Sequence, residues 1–125
     1  MARFRLARPA QIDLANMLAT SAERWGAEGR RRYAAVLAVA MRQIADQPEG
    51  PLTKKRPELR SGIRSFHVRH TRRSAQDVPV RRPAHVLYYR VAQDGVIEIV
   101  RVLHERMEPR RHLDDWPTEG DICAH

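Results

Sequence analysis

The residues of this chain best suited to chemistry are cationic or titratable, and they gather at the ends of apolar runs. The stretch Ile97 to Leu113, IEIVRVLHERMEPRRHL, begins as a strand, is interrupted by Arg101, and closes on His104, Arg106, Arg111 and His112. Upstream, IRSFHVRH places His67 and Arg69 at the end of a second apolar run. A histidine titrating near neutral pH moves protons, and an arginine holds a phosphate through two parallel N–H donors. Set around one phosphodiester, His67, Arg69, Arg106 and His112 could activate a ribose 2′-hydroxyl and stabilise the crowded phosphate, which would cut RNA. The same cations also suit a solvated element end or a docking surface for an acidic partner. Arg101 poses a separate question. A charge inside VIEIVRVL is costly to bury alone, so it carries either an ion pair with another element or a function. Glu98 lies three residues away on the same strand and faces the opposite side, so it is not that pair.

Other chemistry is poorly represented. There is no Gly-rich phosphate loop, HExxH pair, CxxC pair or GxSxG elbow, so no metal and no organic cofactor is expected. Cys123 is the only cysteine, which leaves no internal disulfide. Trp25 and Tyr33 could stack on a ligand, but both fall on apolar helical stripes and read as core. Tyr88 and Tyr89 are adjacent on a strand and must face opposite ways, one into the core and the other toward an open sheet face.

Charge points toward acidic partners. The chain of 125 residues carries a net charge of +8, and residues 54–90 hold eleven Lys and Arg against Glu58 and Asp77. Residues 91–125 reverse the balance, with eight acids against four arginines. A positive middle third suits RNA or an acidic protein surface, and Arg60, Arg64, Arg69, Arg72, Arg90, Arg101, His104, Arg106 and Arg111 are the candidate contacts. No apolar run approaches the roughly 20 residues a membrane-spanning helix needs, and MARFRLARPAQ lacks the apolar core of a signal peptide. A cytoplasmic location is the expectation.

Positioning falls to elements that the periodicity outlines. Arg3-Phe4-Arg5-Leu6 alternates as a short edge strand. Pro9 suits a first helical turn, and Leu14, Leu18, Ala22 and Trp25 recur at helical steps up to Gly26, a helix stop. A second helix carries Tyr33, Leu37, Ala40 and Ile44 and ends before Pro48-Glu49-Gly50-Pro51. The period then changes to strands over Ile63–His70, His85–Val91 and Val96–Leu103, with Asp94-Gly95 as the hairpin turn between the last two. TRRSAQDVPVRRP is a long basic loop between the first two of these strands. The expected fold is α+β: an N-terminal strand, a helical hairpin, and a three-stranded antiparallel meander in one sheet with one face open. One domain spans residues 1–113, followed by an acidic tail, 114–125.

Five segments taken in order, FRLARPAQIDL, ERWG, LRSGIRSF, HVLYYRV and IEIVRVLHERMEPRRHL, resemble the RelE/ParE toxins of type II toxin–antitoxin modules. The similarity runs from about Phe4 to Leu113, and the ending VLH…M…RHL resembles the ParE-like branch. It implies a growth inhibitor neutralised by a cognate, ParD-like antitoxin within a hetero-oligomer. For the ParE-like branch it implies DNA gyrase as target and no catalytic residues. For the RelE-like branch it implies cleavage of ribosome-bound mRNA. On that alternative the family's two lysines fall at His67 and Arg69, its last-strand arginine at Arg106 and its tyrosine at His112, while another arginine falls near Val86, which binds no phosphate. A third alternative is a non-toxic member that only binds its antitoxin.

Overall fold

A computed structural model describes residues 3–71 and 83–115. The N-terminal alternation forms β1 (Phe4–Leu6), and the chain then enters α1 (Arg8–Asp46) with proline in its first turn. Helical backbone resumes directly on both sides of Gly26, so the expected stop is a kink within one 39-residue element and involves no loop. Gly26 has φ 74 and ψ −176, a region essentially restricted to glycine. The two arms share one core. Ala10 and Met17 of the first, and Tyr33, Leu37, Ala40 and Ile44 of the second, pack against Phe66, Leu87, Tyr89, Ile97, Ile99 and Val102 of the sheet. Trp25 is not part of it. At 63% exposure it departs from the core position that its stripe predicts, and it stands directly before the kink at Gly26.

The remaining strands are β2 (Lys54–Lys55), β3 (Arg64–His67), β4 (His85–Val91) and β5 (Ile97–His104). They form one five-stranded sheet in the order β1-β5-β4-β3-β2. The β3–β4–β5 meander is antiparallel as expected, whereas β1 runs parallel to β5, making the sheet mixed. The two lysines of β2 add a strand that periodicity could not reveal, since neither is apolar. Arg5 fastens β1 in place, with Nε 2.5 Å from Glu98 and Nη1 2.9 Å from Asp94 at the β4–β5 turn. Gly95 takes φ 82 in that turn, as the Asp-Gly signal requires.

The second sheet face is not open. Tyr88, Val100 and Leu103 form a smaller core with Leu59 and Ile63, which the segment between β2 and β3 lays across them. The guanidinium of Arg56 sits 5.7 Å over the Tyr88 ring. Tyr88 and Tyr89 do face opposite ways, but both are buried. The covering segment went unseen because Leu59 and Ile63 are isolated among charged residues. No described helix is long and apolar enough to cross a membrane.

Candidate functional site

The antiparallel register brings histidines from three strands to one end of the sheet. His85 opens β4 opposite His104, which ends β5, and His67 at the end of β3 lies opposite Val86. Tyr33 reaches this end from the second arm of α1, with its hydroxyl 2.6 Å from His85 Nδ1. Between the kink of α1 and this strand end runs an open groove of about 920 Å³, lined among others by Trp25, Tyr33, His85, His104, Glu105 and Arg106.

Hydrogen bonding fixes the proton positions on these rings. His67 Nδ1 accepts the Arg69 N–H at 3.0 Å, and His104 Nδ1 accepts the Arg106 N–H at 3.1 Å. Each must therefore carry its proton on Nε2. His67 Nε2 donates to Glu105 Oε2 at 3.0 Å, and that bond is the main reason the Glu105 carboxyl lies below its ordinary range. Burial, reinforced by the neighbouring His104, lowers His85 to about 4. Burial raises the Tyr33 phenol, whose oxygen accepts the Ala84 N–H at 3.2 Å. With His85 neutral and Tyr33 protonated, the Tyr33 O–H donates to His85 Nδ1, and the imidazole proton then lies on Nε2. His85 and His104 stack edge to face with centroids 5.4 Å apart. The wall is thus rich in N–H donors. Among the described residues, no group of three or more His, Cys, Asp or Glu could hold a metal ion.

Two comparisons with known proteins bear on this arrangement. A family model described as the ParE toxin of the type II toxin–antitoxin system parDE matches residues 4–109. The chain belongs to the ParE toxin family. It is 36% identical over 114 residues to Toxin ParE1 of Caulobacter vibrioides, covering 90% of this chain and 99% of that protein. It is 30% identical over 111 residues to Toxin ParE1 of Mycobacterium tuberculosis, covering 89% of this chain and 97% of that one. The match ends at Pro109, at the first residue of the 3-10 turn Pro109–Asp115.

Within this ParE family member the candidate residues divide by place. His67 and Arg69 lie at one strand end and His104 and Arg106 at another, the two bridged by the His67–Glu105 bond, and of the four only His104 and Arg106 line the groove. Arg64 lies at the opposite end of β3, about 10 Å away at the rise of a strand, and its Nη2 donates to Thr53 Oγ1 at 2.7 Å. Arg60 is half-buried in the segment over the second core, and Arg90 is buried in β4. Arg111 is exposed on the 3-10 turn that also holds His112. Arg72 and most of the long basic loop lie outside the described residues, as does the tail beyond residue 115.

Arg101 is held inside the fold. Its Nε and Nη2 donate to the two carboxylate oxygens of Asp13 at 2.7 and 2.9 Å, and its Nη1 reaches the His112 carbonyl at 3.5 Å. Sequence reasoning missed Asp13, His85 and the exposure of Trp25. Asp13 lies 88 residues from Arg101, and no local pattern joins them.

Proposed function

We propose that this ParE family member arrests growth by acting on DNA gyrase, and that a ParD-like antitoxin holds it inactive in a cytoplasmic hetero-oligomer. The observation that carries this reading is the family match from residue 4 to residue 109, across both arms of α1 and all five strands. The charge is consistent with it: the net +8 and the exposed Lys54, Lys55, Arg69, Arg106 and Arg111 suit an acidic protein or a DNA–protein surface. Arg60 and Arg64 are half-buried and Arg90 and Arg101 buried, so the exposed cations would make the first contact. The antitoxin's acidic C-terminal segment would lay an amphipathic helix beside α1 or add a strand at the exposed β2 edge.

The arrangement around His67 weighs against the alternative, an RNA endonuclease using His67, Arg69, Arg106 and His112. A general base needs a lone pair facing its substrate. The one lone pair of His67 is taken up by the Arg69 amide, and its Nε2 proton by Glu105.

Purified gyrase supplies the test. Supercoiling should fall in proportion to added protein and recover when the antitoxin is present. Undiminished supercoiling at saturating protein, with codon-positioned mRNA cuts in induced cells, would replace this reading by the nuclease one. Normal growth on expression of the folded protein alone would leave only an antitoxin-binding role.

A further inference from the structure

The groove at the kink exposes a large aromatic ring that the fold itself does not cover. Trp25 lines it at 63% exposure, and two glycines follow it on the helix. Gly26 turns the chain through a conformation closed to other residues. Gly29 leaves room beside the Trp25 side chain, since a Cβ at that position would overlap the Trp25 Cβ. Exposing so large an apolar ring works against stability unless something covers it.

The surroundings indicate what would do so. The Arg24 guanidinium lies 5.7 Å from the indole centroid on the same wall. Across the groove stand His85 and His104, each with its proton on Nε2, and Arg106. Among the described residues, no ion pair engages Arg24 or Arg106. Two acids also line the space, but Glu28 is bonded by Arg31 and Arg32, and Glu105 by His67. An exposed indole beside a guanidinium stacks on a nucleobase of any sequence, and arginine and imidazole N–H groups hold phosphate oxygens. A space of about 920 Å³ is of the size that small ligands occupy.

We propose that this groove binds a nucleoside phosphate, with the base stacked on Trp25 and the phosphate held by Arg106 and His104 of the facing wall. The ligand is either a free nucleotide or one unit of a single strand, since both present the same base and phosphate. The site does not depend on the gyrase reading, and a supercoiling assay with either result leaves it standing.

The chain has two tryptophans, so the full-length Trp116→Phe protein reports on Trp25 alone. Adenosine 5′-monophosphate and a dodecamer of thymidylate are titrated separately against its fluorescence. Saturable quenching is expected with at least one. Quenching by the mononucleotide alone identifies a free nucleotide as the ligand, and quenching by the dodecamer alone identifies a strand. Arg24→Ala and Arg106→Ala alter exposed side chains, so folding should persist, as circular dichroism would verify. At least one should weaken binding about tenfold, the loss of one charge-assisted contact. Three results would overturn the proposal: no saturable quenching by either ligand, equal quenching by inorganic phosphate or penta-glutamate, or unchanged affinity in both folded arginine variants.

Discussion

Asp13 and Arg101 form a fork in which both carboxylate oxygens meet guanidinium nitrogens, at 2.7 and 2.9 Å, and Asp13 Oδ2 also accepts the Val102 N–H at 2.9 Å. The reason lies in the sheet. β1 covers β5 only as far as Ile99, so the β5 edge beyond it needs another acceptor. One aspartate thus completes the edge and neutralises a buried cation.

Removing Asp13 should therefore cost more than an ordinary ion pair. Asp13→Ala strands a guanidinium and an amide, and a loss of about 3–5 kcal/mol is expected in urea denaturation. Replacing both partners by apolar residues, Asp13→Leu with Arg101→Met, should recover much of that loss. A single variant no less stable than the parent would show that the fork contributes nothing.

His85 should make stability fall in acid. Its folded value of about 4 lies below the ordinary 6.5, so the unfolded chain binds the proton more readily. The stabilisation is complete above pH 6.5 and is lost as pH falls from there toward 4. Its size is about 2 kcal/mol once solvent screening of this part-exposed ring is allowed for. Denaturation midpoints measured across that window should decline, and His85→Gln should flatten the profile.

Gly26→Ala isolates backbone strain, because nothing lies within 4 Å of the added methyl group. A penalty of about 1–3 kcal/mol is expected from conformation alone. An unchanged melting temperature would mean that the kink relaxes into continuous helix.

Charge reversal at exposed cations should act on partners while leaving the fold intact. Arg69→Glu with Arg106→Glu should raise the antitoxin dissociation constant about tenfold or more and reduce its salt dependence. Isothermal titration at two ionic strengths checks this, and an unaltered constant would move the interface elsewhere.

Much of this architecture was legible because burial writes itself as period. Leu14 and Leu18, Leu37 and Ile44, and the apolar alternation of the three later strands each carry their own spacing. Gly26 and Asp94-Gly95 were equally plain, since each marks a backbone few other residues adopt. What stayed hidden depends on distant neighbours. Lys54 and Lys55 pair through backbone atoms alone, and Leu59 with Ile63 closes a sheet face that seemed open. The candidate site was legible only in part. His67, Arg69, His104 and Arg106 stood out by type, but nothing local places Tyr33 beside His85 or turns Trp25 outward.

The parallel pairing of Phe4–Leu6 with Ile97–Ile99 makes the first strand wait for the last. During synthesis the N-terminal segment leaves the ribosome with no strand partner until some 90 further residues have followed it. A chain cut before Ile97 has neither the partner of β1 nor the Arg101 that faces Asp13, so the folded protein cannot form until β5 has been made.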